Sequence, residues 1–367
     1  MDRTFYATLA QKSISGESLS RQTALEILES GEIELLPLLD AAFEVRKKFT
    51  GKEVKIHIIN NAQNGACPED CHYCAQSKNS KAPIEKYRIK SDEEILAEAK
   101  EAYESGAYRY CMVFAGRGPS DARIEHLSRL IREIKSKYPV QVCVSAGLLD
   151  SQDKAQKLKD AGLDRLNHNL NTSEDNYANV CSTHTFDDRL NTLKLAQNVG
   201  LEICSGVIVG MGEQRKDIVD LAFKFRELNA PSIPVNFLIP IDGNILTAKN
   251  ALTPEYCLRV LCLFRFLNPK AEVRVAAGRE GHLRSMEVMS LYPANSLFMD
   301  GYLNTKGSRR TKTLRMIKDA GFTINSTRQL EELLKQESAS EEDFIVEDQQ
   351  AILKDLNDLR PLLPAKK

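Results

Sequence analysis

The sequence predicts an α/β protein built on a (βα)8 TIM-type barrel, with an N-terminal helical extension and a C-terminal tail. From residue 54 onward, short apolar runs alternate with longer amphipathic runs, a pattern typical of parallel strands that alternate with helices. A count of eight apolar runs favours a closed barrel over an open sheet, and functional residues are then expected at the carboxyl ends of the strands. The eight candidate strands are 54–59, 108–114, 140–145, 165–170, 202–209, 232–239, 272–277 and 296–299.

The pattern divides the chain into three parts. Residues 1–50 carry helical apolar stripes, residues 51–325 carry the strand and helix alternation, and residues 326–367 are rich in acidic side chains. Within the middle part, several helical patterns end at a glycine that a strand follows directly, as expected because glycine accepts the left-handed conformation that closes a helix. These glycines are Gly106, Gly162 and Gly200. We expect the last part to be a peripheral extension, helical or partly disordered, without chemistry of its own.

Composition narrows the class of protein. A net charge of -1 argues against a general nucleic-acid binder, which normally has a basic excess. The chain starts without the basic and apolar run of a signal peptide, and no segment approaches the roughly 18 apolar residues of a membrane span. We therefore expect a cytoplasmic protein. In that compartment the nine cysteines are expected to bind metal, react or fill the core rather than form a disulfide framework.

Three cysteines, Cys67, Cys71 and Cys74, follow the first predicted strand within the stretch GACPEDCHYC. Its proline and polar neighbours disfavour a buried helical face. A structural zinc site needs a fourth ligand, and His72 lies awkwardly between the cysteines for that purpose. Thiolates are the usual ligands of iron–sulfur clusters, and three of them leave one iron of a [4Fe–4S] cluster open.

The spacing CxxxCxxC, with the aromatic Tyr73 before the last cysteine, resembles the motif of radical S-adenosylmethionine (SAM) enzymes. The resemblance implies that Cys67, Cys71 and Cys74 hold a [4Fe–4S] cluster. It also implies that the amino and carboxylate groups of SAM chelate the open iron.

Three other cysteines, Cys111, Cys143 and Cys204, each lie inside a predicted strand. Inward positions of barrel strands converge, so these thiols could share one metal centre, or they could simply fill the core. The segments NHNLNTS, CSGVIVGMGE, SIPVNFL and VRVAAGREGH, in this order, resemble the biotin synthase family over roughly residues 20–307. That resemblance implies a [2Fe–2S] cluster held by the three strand cysteines and Arg274.

An arginine is an unexpected ligand, because its guanidinium normally stays protonated. From the residues alone, Arg274 would pair with a substrate carboxylate or with a cluster, and Arg279 competes with it for a supporting role. The resemblance implies a sulfurtransferase that inserts sulfur into dethiobiotin to form biotin. The radical would be generated at the [4Fe–4S] cluster and the sulfur donated by the [2Fe–2S] cluster. It also implies a flavodoxin or ferredoxin electron donor and a homodimer.

Asparagines recur at every second position of the fourth predicted strand, at Asn167, Asn169 and Asn171. Side chains two apart on a strand share a face, so we expect an inward polar row. Amides donate and accept hydrogen bonds, which suits ribose hydroxyls and the ureido ring of dethiobiotin. The resemblance implies cofactor contacts by Asn169, Asn171 and Arg189 and a substrate contact by Asn236. We also expect Tyr73 to contact the cofactor, and Asn167 and Asn169 of the inward row to contact the substrate. Asn171 departs from family members with aspartate at this position.

Other motifs carry weaker signals. GVIVGMGE, with Gly206, Gly210, Gly212 and Glu213, looks like a phosphate loop, but a lone glycine motif is weak. We interpret it as a strand exit that lets backbone approach the adenosyl part of SAM. His168 and His184 are expected to be structural or supporting residues rather than ligands. Cys181, Cys257 and Cys262 are expected to fill the core.

Two alternatives remain at this point. One is another radical SAM enzyme of the same fold group, such as a hydrogenase-cofactor maturase or a methyltransferase. The other is a non-catalytic iron–sulfur or zinc protein. About six irons per chain would favour the two-cluster interpretation over the first, and reductive cleavage of SAM would exclude the second.

Overall fold

Eight parallel strand positions close into a barrel, as the sequence predicts. The computed structural model describes residues 1–246, 252–337 and 351–362. Hydrogen bonding joins neighbouring strands in chain order, and the last barrel strand pairs with the first to close the ring. The strands are β1 (Glu53–Gln63), β2 (Arg109–Phe114), β3 (Gln141–Ser145), β4 (Arg165–Asn167), β5 (Glu202–Cys204), β6 (Val207–Val209), β7 (Ser232–Phe237), β8 (Glu272–Val275) and β9 (Ser296–Met299).

The first strand extends four residues beyond its predicted end, to Gln63, and two other predicted strands are interrupted or shortened. The fifth, 202–209, is broken into β5 and β6, which pair in turn with the same neighbour, β7. At the break, Gly206 packs so closely on β7 that a Cβ would lie 1.9 Å from the carbonyl oxygen of Pro234. The fourth, predicted over 165–170, ends at Asn167. Beyond Asn167, side chains take part in the pairing, since Gly206 N–H donates to Asn169 Oδ1 and Leu170 N–H donates to Ser205 Oγ. Asn171, with φ of 69°, then forms a parallel bridge to Val207.

Three helices occupy the first part of the chain: α1 (Arg3–Ser15), α2 (Arg21–Glu29) and α3 (Leu35–Thr50). They cover α10 (Pro254–Leu267), every residue of which beyond Glu255 is buried. Polar contacts fix this packing: Ser13 Oγ donates to the carbonyl of Phe266 at 2.7 Å, and Arg259 donates to that of Ile27 at 2.9 Å.

The remaining helices surround the barrel. Gly106 and Gly162 close two of the helical segments with φ of 82° and 91° immediately before β2 and β4, as predicted. These helices are α4 (Asp92–Glu104), α5 (Asp121–Lys137), α6 (Gln152–Asp160), α7 (Glu174–Tyr177), α8 (Phe186–Asn198), α9 (Arg215–Glu227), α11 (Arg279–Leu283), a 3-10 helix (Arg284–Leu291) and α12 (Arg310–Asp319).

After the barrel, β10 (Thr323–Ile324) pairs with the start of β1, and α13 (Leu330–Glu337) follows. Residues 351–362, here called the return segment, contain α14 (Leu356–Leu359) and come back to the barrel. Leu353 bridges to Thr305, and Arg360 donates two bonds to Glu94, at 2.9 and 2.6 Å. Most of the predicted acidic stretch, 338–350, lies outside the described residues. In the described part of the chain, no helix has the length and apolar character needed to cross a membrane.

Candidate active site

The loop cysteines line a cavity at the carboxyl end of the barrel. Cys67, Cys71 and Cys74 lie in turns and irregular structure after β1, so the disfavoured helical face is absent here. The cavity measures about 280 Å³ and also meets the ends of β2, β3, β4, β6 and β7. This is the face where we expected function from the barrel prediction.

The two acidic residues between the cysteines anchor the loop to residues 181–184. Asp70 accepts backbone N–H bonds from Ser182 at 3.0 Å and Thr183 at 3.1 Å. Glu69 contacts Nδ1 of His184 at 2.6 Å. Burial alone would raise the pKa of Asp70, but the bonds from Ser182 and Thr183 outweigh it and hold that pKa well below its usual value. The loop is therefore held by ionised carboxylates.

Cys181 is buried, as expected of a core cysteine, but its sulfur lies 3.8 Å from that of Cys71. Together with His184 these residues place three potential ligand atoms within 4.8 Å of one another. Sequence reasoning missed this contact, because 110 residues separate the two cysteines. His184 lies 2.8 Å from Arg189, in keeping with a supporting role, and His72 turns away to the carbonyl of Asn179.

Burial raises the pKa of two free thiols in the loop, Cys67 and Cys74. The pKa of Cys74 is raised to about 11. Both thiols are therefore protonated at neutral pH in the metal-free protein, and metal binding there would release protons.

The predicted asparagine row lines the same cavity, although its members leave strand geometry after Asn167. Asn169 accepts from the backbone N–H of Gly206 at 3.0 Å, and Asn171 donates to the hydroxyl of Tyr73. Arg189 donates to the carbonyl of Asn169 at 2.8 Å. The loop cysteines, the asparagines and the arginine thus form one connected wall.

The strand cysteines converge inside the barrel, below this cavity. Cys111 and Cys143 are directly opposite in the β2–β3 pair. The Cys143 thiol packs with Cys111 and Cys204 in one buried cluster. The neighbouring Cys143 thiol lowers the pKa of Cys111, and the charges of Arg274 and Arg109 add to that effect. All three cysteines are buried, and their donor set is that of a metal–thiolate centre.

Arg274 lies beside these thiols, with a guanidinium nitrogen 3.6 Å from the sulfur of Cys204. The same guanidinium donates to Ser296 Oγ and Ser232 Oγ, at 2.9 Å each, and pairs with Glu272. Burial alone would lower the pKa of Arg274, but the charges of Cys204 and Glu272 raise it overall. The guanidinium is therefore protonated in the metal-free protein.

Glu272 is a buried hub that sequence reasoning missed. It accepts from Arg109 at 3.0 Å and from Arg165 at 2.9 Å, and it contacts His57 at 2.8 Å. Burial lowers the pKa of His57 well below its usual value, so the imidazole is neutral. One buried carboxylate thus neutralises part of the charge of three arginines beneath the thiols.

Two residues connect the cavity with the strand cysteines. Asn167 lines the cavity, and its amide nitrogen lies 3.3 Å from the sulfur of Cys204. Tyr302 also lines the cavity and packs against the cluster of Cys111, Cys143 and Cys204. The cavity therefore lies between the two cysteine triplets.

The other predicted residues have different surroundings. Asn236 lines the cavity and bridges β6 and the end of β8 through its amide. Arg279 pairs with Glu280 and Glu287 at 2.8 Å each, so it does not compete with Arg274. Cys257 and Cys262 are fully buried in α10, as predicted.

Within the glycine motif, Glu213 accepts from the backbone N–H groups of Gly210 and Met211, both at 2.7 Å, and so folds the motif on itself. Only Ile208 of that segment lines the cavity.

Comparison with known proteins gives the class first. Residues 64–225 match the Radical SAM superfamily, and residues 234–323 match the Biotin and Thiamin Synthesis associated domain. Methylornithine synthase (PylB) has a TM-score of 0.74 at 20% identity, over 89% of this chain and 100% of that one. The FeFe-hydrogenase maturase HydG from Carboxydothermus hydrogenoformans has a TM-score of 0.73 at 19% identity, over 89% and 81%. These two structures support the fold alone, and the domain matches define a radical SAM enzyme.

Sequence relatives define the family within that class. The biotin synthase of Magnetococcus marinus is 60% identical over 316 residues, which cover 86% of this chain and 98% of the relative. That of Bacillus subtilis is 45% identical over 330 residues, covering 90% and 98%. The chain belongs to the biotin synthase family. Its superfamily implies a [4Fe–4S] cluster and SAM, and its family implies a [2Fe–2S] cluster.

Proposed function

We propose that this protein closes the sulfur-containing ring of biotin by inserting sulfur into dethiobiotin, with SAM as co-substrate. The observation that carries the proposal is the position of one cavity between two thiol triplets. Asn167 and Tyr302 are its link, since each lines the cavity and contacts the strand cysteines. A second metal–thiolate centre directly below a SAM-type loop has no use in radical generation alone, which favours sulfur transfer.

Cys67, Cys71 and Cys74 would hold the [4Fe–4S] cluster. The donor set fits, because three thiols lie on the cavity wall in a loop fixed by Asp70 and Glu69. Cys181 does not line the cavity. We therefore assign it a supporting contact to Cys71, which leaves the position that faces the cavity to SAM.

Cys111, Cys143 and Cys204, with Arg274, would hold the [2Fe–2S] cluster. The thiols pack together in one buried group and Arg274 is next to Cys204, so the residues fit one small cluster. Glu272, Ser232 and Ser296 fix the guanidinium in this position. When bound, the [4Fe–4S] cluster with SAM supplies a radical that removes hydrogen from unactivated carbons, and the [2Fe–2S] cluster supplies the sulfur.

The wall residues would position the two small molecules. Asn169, Asn171, Arg189 and Tyr73 form a bonded group on the side of the loop cysteines, which supports SAM binding. Asn167 and Asn236, with Asn169, would hold the ureido ring of dethiobiotin, because amides match its donors and acceptors. The buried surroundings exclude water from a reactive radical.

From the family resemblance we also propose a homodimer, cytoplasmic location and reduction by a flavodoxin or ferredoxin. The division into residues 1–50, 51–325 and 326–367 likewise stays a proposal.

The test is anaerobic turnover of the reconstituted protein with dethiobiotin, SAM and a reductant, assayed for biotin and for 5′-deoxyadenosine. We expect both products, and about six irons per chain. Cys71→Ala is expected to lose both products, whereas Cys143→Ala should lose biotin but still cleave SAM. Cys257→Ala, a buried cysteine in α10, is the matched control and should keep both. No biotin from protein with both clusters intact would contradict the proposal.

A further inference from the structure

A second cavity lies outside the barrel, beneath the return segment. It measures about 490 Å³. Its walls are β1, Tyr110 of β2, α4, the loop of residues 300–309, the first residue of α12 and the return segment. It shares one lining residue, Leu303, with the active-site cavity. None of the residues assigned to catalysis or cofactor binding above lines it.

Two buried polar side chains in this cavity, Ser308 and Asn61, have no hydrogen-bond partner within the described residues. Ser308 is 3% exposed, and its hydroxyl makes no hydrogen bond. Asn61 is 4% exposed, and neither its amide nitrogen nor its oxygen is bonded. Buried polar groups are nearly always satisfied, so each orphan indicates a missing ligand or water. Both residues line the same cavity, which points to a shared ligand.

Three of the five cations in the cavity lining are paired with carboxylates that also line it. Lys90 pairs with Glu98 at 2.6 Å, and Lys306 pairs with Asp358 at 2.9 Å. Arg310 pairs with both Glu101 and Asp300, at 2.7 and 2.8 Å. The lining also contains a fifth carboxylate, Asp355, which is exposed.

Lys354 is the lysine of the cavity lining that has no such pair. No described carboxylate lies within 4.0 Å of it. Burial lowers its pKa, and the charges of Asp300 and Asp358 offset that effect only in part. An anion in the cavity would add a closer counterion.

The start of α12 adds backbone donors. Arg309 is its N-cap residue and provides no side-chain cap, and no acidic side chain occupies the first turn. The first amides of a helix have no partner within the helix, and they attract anions. Arg310 and the orphan Ser308 lie at this helix start and line the cavity.

We propose that the second cavity binds a phosphate group, either inorganic phosphate or a small phosphate ester, between Lys354, Ser308, Asn61 and the N-terminus of α12. The bound group joins the return segment to the barrel. Lys354 N–H donates to the carbonyl of Asn304 at 2.8 Å, and Lys306 N–H donates to that of Ile352, also at 2.8 Å. Asn304 also lines the active-site cavity, so phosphate stabilises one wall of the active site from outside.

Binding is measured on the full-length, cluster-free protein by calorimetry and thermal unfolding. Inorganic phosphate and glycerol phosphate are each compared with chloride at equal ionic strength. Both should bind the wild type and raise its melting temperature. If only one does, that result identifies the source of the phosphate group. Trypsin cleavage after Lys354 and Arg360 should also become slower with the anion.

Lys354→Met and Ser308→Ala are each expected to weaken binding at least tenfold. Lys318→Met, an exposed lysine in the last turn of the same helix, should bind like the wild type. If Lys354→Met fails to fold, Ser308→Ala decides alone. Absence of binding to the wild type, or equal affinity in Ser308→Ala and Lys318→Met, overturns the proposal. Neither SAM nor clusters enter this experiment, so its outcome is independent of the proposed reaction.

Discussion

Replacing Glu272 by glutamine should destabilise the barrel strongly, although the shape of the side chain is kept. Glu272 is 3% exposed and is the buried counterion of Arg109, Arg165 and Arg274. In Glu272→Gln, Arg165 keeps Glu202 at 2.8 Å, but the described structure offers the other two no second carboxylate. Breaking a buried pair from one side costs about 3–5 kcal/mol.

In a chain this long, 1 kcal/mol shifts the melting temperature by roughly 2 °C, so we expect a fall of about 6–10 °C. The assay is thermal and urea unfolding of cluster-free protein, followed by circular dichroism. Glu202→Gln is the matched control. Its side chain is 58% exposed and pairs with Arg165 alone, so it should cost less than about 1 kcal/mol.

The pH dependence sharpens the test. Burial alone would raise the pKa of Glu272, but Arg109, His57 and Arg274 together hold it well below the ordinary value of 4.5. A carboxylate with a lowered folded pKa stabilises the protein above its unfolded pKa, and that stabilisation is lost as the pH falls. The difference between wild type and Glu272→Gln should therefore be constant above about pH 5.5 and shrink by about 1.4 kcal/mol per pH unit below about 4.5. Equal losses of stability in Glu272→Gln and Glu202→Gln would refute the role of Glu272 as the shared buried counterion.

Three further outcomes are expected. Cys181→Ser should leave the iron content unchanged; loss of iron would make Cys181 a ligand instead. Because the sulfurs of Cys71 and Cys181 are 3.8 Å apart, mass spectrometry should find a disulfide between them in air-oxidised, cluster-free wild type. Cys181→Ser should abolish that disulfide. Gly206→Ala should lower the melting temperature by more than Gly31→Ala, because only the former places its Cβ 1.9 Å from a carbonyl oxygen of β7; equal effects would count against that packing. Asn171→Asp should bind SAM in equilibrium dialysis, whereas Asn171→Val should bind it poorly, because a β-branched residue resists a φ of 69°; tight binding by both would remove the backbone argument.

The sequence predicts the barrel and the cysteine loop because both depend on local patterns. Alternating runs mark strands, and Cys67, Cys71 and Cys74 are close in the chain. The length of the fourth strand is not local. Asn169 accepts from the N–H of Gly206, at the break between β5 and β6, so a side chain replaces a backbone partner there. No pattern within residues 165–170 indicates that change.

Cys181 and Glu272 were missed because their roles depend on distances that only the fold provides. Cys181 reaches Cys71 across 110 positions. The sequence does contain a signal for Glu272. Charged residues stand near the start of several apolar strands, at Arg109, Arg165 and Glu272. Charges inside otherwise buried strands must be paired, so opposite signs on different strands indicate a common buried layer.

The order of residues along β2 gives the arrangement of the whole site. Side chains two apart on a strand point the same way, so Arg109, Cys111 and Val113 occupy three successive interior layers. Arg109 lies in the charged layer with Glu272, Cys111 in the thiol layer, and Val113 lines the active-site cavity. The same order recurs on β3 as Gln141, Cys143 and Ser145.

One layer corresponds to two residues, a rise of about 6–7 Å along a strand. A substrate on the floor of the cavity therefore rests one layer above the thiols, while Cys67, Cys71 and Cys74 line the wall around it. In the charged layer below, Glu272 pairs with Arg274 beside the thiols, and this layer does not line the cavity. Sulfur insertion requires both cysteine triplets next to the substrate, and a barrel with only one of them would lack either the radical source or the sulfur donor. The short distance between the layers, rather than either cysteine motif alone, therefore makes this chain suited to the reaction.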